Sequence, residues 1–173
     1  MSIQRIKTAI RDVPDFPKPG ILFKDITPIL DDPKLFRATV NILAARLKGK
    51  RITKIVAIES RGFLFGAALA QKLGIGIAPV RKKGKLPYKT IEVSYDLEYG
   101  SAVLQMHVDA LTKKDRVVII DDLLATGGTA LATAELVEKL GAKVVEIDFV
   151  IELAFLAGRK KLKGYKLFAP IVF

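Results

Sequence analysis

The sequence predicts an α/β fold, a central parallel sheet flanked by helices, and three observations carry that reading. Two stretches alternate short β-branched runs with helical patterns in strand–helix–strand order. Each of the two helical patterns ends at a glycine, Gly74 or Gly141, where helices commonly stop. The length of 173 residues, half of them hydrophobic, supplies one ordinary core. Residues 1–173 are therefore expected to form a single domain, and parallel strands joined by helical crossovers follow from the order of the elements.

Taken in chain order, Ile3, Ile6 and Ile10 recur at helical spacing and predict a short amphipathic helix that Pro14 stops. From Pro14 to Pro28 there are four prolines and one glycine among Phe16, Ile21, Leu22, Phe23 and Ile26, which reads as a loop with apolar anchors. Asp31-Asp32-Pro33 offers a capping carboxylate and a proline at the first helical position. Phe36, Val40, Leu43 and Leu47 then form one apolar stripe, so a helix is expected to about Leu47. The first strand–helix–strand unit is Ile52 to Ile58, Phe63 to Leu73 and Ile75 to Val80. The second is Arg116 to Ile120, Thr129 to Leu140 and Lys143 to Ile151. Between them, Thr90 to Tyr95 and Ser101 to Met106 read as two strands turning near Tyr99-Gly100, a hairpin placed to serve as a hood or lid. A basic helical piece, Phe155 to Leu162, and a short apolar tail from Leu167 complete the expected order.

Composition excludes several classes of function. The two most apolar runs, Ile52 to Ile58 and Val117 to Ile120, meet charge well before the roughly 20 residues a membrane helix needs. Met1 to Lys7 lacks the continuous apolar segment of a secretory signal, and the expected location is the cytoplasm. Without cysteine there is no disulfide framework and no thiolate metal site, and one histidine excludes a multi-histidine site. A net charge of +11, from 29 basic and 18 acidic residues, favours anionic partners, either nucleic acid or phosphorylated metabolites. The basic residues are spread through Lys48 to Lys54, Arg81 to Lys89 and Arg159 to Lys166, with no aromatic-interleaved run. Specific nucleic-acid binding is not expected from that pattern.

One segment carries chemistry. Ala125-Thr126-Gly127-Gly128-Thr129 leaves a strand and opens a helix, where ligands of open α/β sheets bind. Gly127 and Gly128 can take positive φ and let backbone N–H groups converge on phosphate oxygens, while Thr126 and Thr129 add hydroxyl donors. Asp121 and Asp122 just before would repel a bare phosphate, so the vicinal hydroxyls of a ribose or a hydrated Mg2+ suit that end. Neither G-x-x-x-x-G-K-[ST] nor G-x-G-x-x-G is present. The alternative is that Gly-Gly only turns the chain and the aspartates cap the helix.

An apolar strand, Asp-Asp, then Ala-Thr-Gly-Gly-Thr resembles the signature of the type I phosphoribosyltransferases, which bind 5-phosphoribosyl 1-pyrophosphate. Four further motifs extend the resemblance over nearly the whole chain and narrow it to the adenine phosphoribosyltransferase family. They are Pro14 to Gly20 with Phe23 to Pro28, Glu59 to Gly66, Arg81 to Pro87, and Tyr95 to Gly100. The resemblance implies a type I phosphoribosyltransferase fold with a small N-terminal hood (about 1–30) and a β-hairpin lid (about 81–107). It implies a purine-salvage reaction that joins adenine through N9 to the sugar, gives AMP and pyrophosphate, uses Mg2+, and occurs in a homodimer.

Carried over by position, Asp121 and Asp122 would hold the ribose hydroxyls, and Ala125, Thr126, Gly127, Gly128 and Thr129 the 5′-phosphate. Glu59, Ser60, Arg61 and Gly62 would form the pyrophosphate loop, joined by Arg81 and by Lys85, which the family donates across the dimer interface. Leu22, Phe23 and Lys24 would hold adenine, with Lys24 standing where the family commonly has arginine. Glu98 resembles the residue that assists protonation changes at N7. Tyr99 beside it and Arg61 complete the expected catalytic set. No side chain is assigned to the metal, which the substrate would carry. Gln105, where relatives often have glutamate, and His107 receive no role. Two rivals share the fold: a transferase for guanine, hypoxanthine or xanthine, and a ligand-sensing regulator that binds nucleic acid.

Overall fold

The computed structural model describes residues 2–96 and 101–173. The chain divides into two compact units, Met1–Ala45 and Arg46–Phe173.

In the first unit, helix α1 (Ile3–Ala9) is capped by the Ser2 hydroxyl, which accepts from the Arg5 amide, and Ile6 is fully buried. The expected loop then proves to be a hairpin. Strands β1 (Arg11–Pro14) and β2 (Leu22–Asp25) pair antiparallel, Arg11 opposite Asp25 and Pro14 opposite Leu22. The prolines conceal it, yet Pro14 closes a strand and Pro17 and Pro19 fall in the connection, where no ladder amide is needed. Asp15 accepts from the Gly20 amide at 2.7 Å to close the tip. Helix α2 (Thr27–Asp31) follows, then α3 (Pro33–Leu47), which begins as expected: the Asp32 carboxylate accepts from the amides of Lys34 and Leu35 at 2.7 and 3.2 Å.

The second unit is built on β3 (Lys54–Ile58), α4 (Arg61–Leu73), β4 (Gly76–Lys82), β5 (Thr90–Asp96), β6 (Ser101–His107), β7 (Arg116–Leu124), α5 (Gly128–Lys139) and β8 (Lys143–Glu152). The short strands β9 (Leu167–Phe168) and β10 (Ile171–Val172) form from the apolar tail. The sheet order is β10-β8-β7-β3-β4-β6-β5, with β9 also on β8. Strands β10, β8, β7, β3 and β4 run parallel, while β6 and β5 extend the β4 edge antiparallel.

Helices lie on both faces, which is why the central strands are apolar throughout. Val56, Ile58, Val117 and Ile119 share one cluster with Leu136 and Val137 of α5. On the other face α4 approaches closely enough that a Cβ on Gly66 would stand 2.6 Å from the Ala57 Cβ. No helix among the described residues is long and apolar enough to cross a membrane.

Two expectations are corrected. Strand β7 continues past Ile120 to Leu124 because β8 keeps pairing it, Leu123 with Ile151 and Leu124 with Glu152, so both aspartates are strand residues. The basic piece Phe155 to Leu162 is not a helix. It forms two single 3-10 turns, Ala154–Leu156 and Gly158–Lys160, separated by Ala157 in the left-handed region at φ 53°.

Strand β8 also carries a buried charge cluster. Glu146 is fully buried, paired with Arg46 at 2.6 Å and with Lys50. Two residues on, Asp148 is fully buried too, and neither carboxylate oxygen has a hydrogen-bond partner among the described residues. Burial first, and the Glu146 charge second, push its carboxyl up to about 8, against the opposing charges of Lys50 and Arg46.

The unfolded carboxyl ionises near pH 4, while the folded one keeps its proton to about pH 8. Stability from this group is therefore fully present below about pH 4 and is lost as pH rises toward 8, at no more than about 1.4 kcal/mol per pH unit. Asp148→Asn, similar in shape and unable to ionise, flattens that slope. In denaturant titrations its gain over wild type at pH 8 should exceed its gain at pH 5 by roughly 1–3 kcal/mol. Parallel stability curves for the two proteins would refute the assignment.

Candidate active site

At the carboxyl ends of β3, β4 and β7 a cavity of about 360 Å³ opens. Glu59, Ser60 and Arg61 line it between β3 and α4, Lys82 at the end of β4, and Asp121 and Asp122 on β7. Tyr95 of β5 and Thr129 of α5 close one side. A hollow of about 70 Å³ adjoins it along Asp121, Leu123 and Thr129, and is walled by Ala125, Thr126 and Gly127. A larger cavity of about 530 Å³, among Lys50, Arg51, Arg116 and Lys166, has neither a carboxylate nor a hydroxyl in its lining. Chemistry rather than size therefore selects the site.

The hollow faces the start of α5. Gly127, at φ 83°, is the N-cap residue and no side chain caps the helix, which leaves first-turn amides available to an anion. The loop is held from behind by backbone. A Cβ on Gly127 would lie 2.6 Å from the Gly158 carbonyl oxygen, and one on Gly158 would lie 2.1 Å from that of Ala125. Arg159 then anchors the turn, its Nε donating to the Glu152 carboxylate at 2.7 Å and a terminal nitrogen at 2.6 Å. Glu152 escaped the sequence reading because it fell just past the expected end of a strand at Ile151, and Gly158 and Arg159 because they sat inside a presumed basic helix. The signal that could have exposed them was a glycine in the middle of that pattern.

Asp121 and Asp122 form a tight pair. The Asp121 side chain accepts from the Asp122 amide at 2.8 Å. Helix α4 starts directly over it, since a Cβ on Gly62 would lie 2.9 Å from the Asp121 Oδ1. Arg61 Nε donates to Asp122 Oδ2 at 2.5 Å, joining a side chain 46% exposed to one 7% exposed. Burial, then the charge of Asp122 and a hydrogen bond with its side chain, hold the Asp121 carboxyl well above the usual carboxylate range, with the Asp122 amide and Arg61 working the other way. A cation brought to the pair would favour ionisation of Asp121.

On the opposite wall Glu59 does not present its carboxylate to a phosphate. It accepts from Arg81 Nε and a terminal Arg81 nitrogen at 3.3 and 3.2 Å, and from the Lys82 amide at 2.9 Å. Burial opposes ionisation of Glu59. The Arg81 and Lys82 hydrogen bonds, with the charges of both residues, nevertheless hold its carboxyl below the ordinary value. Glu59 thus orients Arg81, which also donates to the Lys85 carbonyl at 3.0 Å. The cation lining the cavity from β4 is Lys82, which sequence reasoning passed over; Lys85 is exposed and absent from the lining.

Gln105 accepts from the Gly84 amide at 2.9 Å and donates to Glu92 at 3.0 Å, and His107 accepts from the Tyr88 amide at 3.4 Å. Both serve the hairpin's own structure. Glu98 and Tyr99 lie outside the described residues. Leu22, Phe23 and Lys24 lie on β2 in the first unit. Phe23 meets Phe16 edge-on at 5.2 Å and Lys24 pairs with Asp12 at 2.6 Å, while Leu22 is 47% exposed.

Comparison with known proteins gives one answer. The family model of the phosphoribosyl transferase domain matches residues 26–169. The adenine phosphoribosyltransferase of Carboxydothermus hydrogenoformans is 60% identical over 166 residues, covering 96% of this chain and 98% of that protein. The crystal structure of adenine phosphoribosyltransferase from Thermoanaerobacter pseudethanolicus superposes with a TM-score of 0.97 at 55% identity, covering 99% of this chain and 100% of that one. The Saccharomyces cerevisiae enzyme, complexed with an imino-altritol bisphosphate and adenine, superposes with a TM-score of 0.94 at 44% identity, covering 97% of each chain. With the paired aspartates, the uncapped α5 and a full-length match all in agreement, the chain belongs to the adenine phosphoribosyltransferase family.

Proposed function

We propose that this protein transfers the 5-phosphoribosyl group from 5-phosphoribosyl 1-pyrophosphate to N9 of adenine, giving AMP and pyrophosphate in purine salvage. The observation that carries the reading is the cleft in which Asp121 and Asp122 adjoin the uncapped N-terminus of α5. It matches a donor with ribose hydroxyls at one end and a 5′-phosphate at the other.

In this reading amides and hydroxyls of Ala125 to Thr129 bind the 5′-phosphate, and Asp121 and Asp122 accept from the ribose hydroxyls. The transition state is cationic at the sugar, and the adjacent carboxylates favour that charge. Arg61 keeps Nε on Asp122 and turns its terminal nitrogens to the pyrophosphate, so one guanidinium bridges the two halves of the donor. Arg81, oriented by Glu59, and Lys82 add positive charge on the same side, with Ser60 and Gly62 shaping the loop. Catalysis then rests on positioning and electrostatics rather than on a covalent intermediate.

Mg2+ supplies charge neutralisation for the departing pyrophosphate. The residues fit such an ion. The ion would be carried mainly by the substrate's oxygens, with Asp121 and Asp122 lining the cleft beside it. Leu22, Phe23 and Lys24 receive adenine, and Glu98 with Tyr99 serves proton movement at N7. The enzyme works in the cytoplasm as a homodimer in which the exposed Lys85 serves the other subunit's pyrophosphate.

The test is product formation. Adenine and the sugar donor with Mg2+ should yield AMP and pyrophosphate in equal amounts, and a chelator should stop both. Pyrophosphate without AMP would overturn the reading.

A further inference from the structure

Thr129, at the end of the phosphate loop, has one hydroxyl proton to give, and its oxygen lies within hydrogen-bond reach of a phenol. Thr129 Oγ1 and Tyr95 Oη share a hydrogen bond at 3.3 Å. Tyr95 belongs to β5, and its side chain lines the same cavity as Asp121 and Asp122. A second contact, Lys139 Nζ to the Glu92 carbonyl at 3.2 Å, ties the far end of α5 to the same strand. The phenol is therefore held by a packed element.

A threonine hydroxyl has one donor and two lone pairs, and a phenol can likewise donate or accept. When a phosphate oxygen takes the Thr129 proton, the 3.3 Å contact to Tyr95 survives only if the phenol is the donor. That arrangement needs rotation of O–H bonds alone and no movement of a heavy atom. The result is a chain in which Tyr95 donates to Thr129 and Thr129 to phosphate, each bond polarising the next.

We infer that Tyr95 is a positioning residue for the 5′-phosphate: its hydroxyl fixes the rotamer of Thr129 and directs the Thr129 proton into the phosphate loop. The inference rests on the proposed role of Thr129 in binding that phosphate. Alternative uses of the phenol are narrowed by geometry, since Thr129 is the partner its oxygen meets among the described residues.

Steady-state kinetics of Tyr95→Phe, Thr129→Val and the double variant test it, alongside a thermal melt of each. Tyr95→Phe should raise KM for the sugar donor about threefold to tenfold, the worth of one hydrogen bond. It should leave KM for adenine unchanged and kcat within about twofold. In the Thr129→Val background the same substitution should have no further effect, because the chain is already broken. A merely structural tyrosine would lower the melting temperature and move both KM values together, which would overturn the inference. So would an unchanged donor KM in Tyr95→Phe, or independent effects in the double variant. An unchanged donor KM in Thr129→Val would remove the phosphate role of Thr129 itself, and the inference would fall with it.

Discussion

Gly158→Ala should lower kcat/KM for the sugar donor by at least about a hundredfold while the protein still folds. The reason is a contact that cannot relax by side-chain rotation. The new Cβ would stand 2.1 Å from the Ala125 carbonyl oxygen and 2.9 Å from a Leu124 methyl. The first of these is backbone of the phosphate loop. Either that loop or the Gly158–Lys160 turn must retreat by about an ångström, and Arg159, tied to Glu152 by two of its nitrogens, resists movement of the turn. The loop therefore yields, and misplacement of a binding group by about 1 Å costs on the order of a hundredfold in rate. Kinetics with a circular-dichroism spectrum check it. A folded Gly158→Ala enzyme with an unchanged KM for the donor would contradict the view that the loop is positioned from behind.

Arg61→Ala and Asp122→Asn should each reduce turnover by at least tenfold and leave the fold intact, but they should shift the acid limb of the rate profile in opposite directions. Arg61 opposes proton uptake by Asp121, whose carboxyl is already held high by burial and by Asp122. Removing the guanidinium raises that carboxyl further, so the variant loses activity at a higher pH than wild type does. Removing the Asp122 charge relieves repulsion and lowers it, so the limb moves to lower pH. The profile of kcat/KM against pH for the donor reads both shifts. Shifts in the same direction, or near-normal turnover in both variants, would count against a shared aspartate pair at the centre of the reaction.

The parallel sheet was readable because strands buried on both faces must be apolar along their whole length, as Lys54–Ile58 and Val117 to Ile120 nearly are. The start of α3 was readable because Asp32 and Pro33 are local signals whose meaning does not depend on the rest of the chain. Asp121, Asp122 and the Thr-Gly-Gly-Thr loop were readable for the same reason: adjacent residues carry the whole pattern.

What escaped depends on distant partners. The β1–β2 hairpin is made by cross-strand pairing that three prolines conceal. The last four residues of β7 look like a loop until β8 is laid beside them. Glu59 looked like a pyrophosphate contact, and its partners Arg81 and the Lys82 amide, 22 and 23 positions away, show that its carboxylate is already engaged. Gly158 meets the loop across 30 or more positions, a separation no local periodicity reports.

Which base the protein uses is read directly by one assay. Purified protein, the sugar donor and Mg2+ are supplied with adenine, hypoxanthine, guanine or xanthine in turn, and pyrophosphate release is followed. Adenine should support rapid release, and the three oxopurines should be slower by at least about a hundredfold, as expected of a site that reads hydrogen-bonding groups on its substrate. Release with guanine or hypoxanthine and none with adenine would contradict the account.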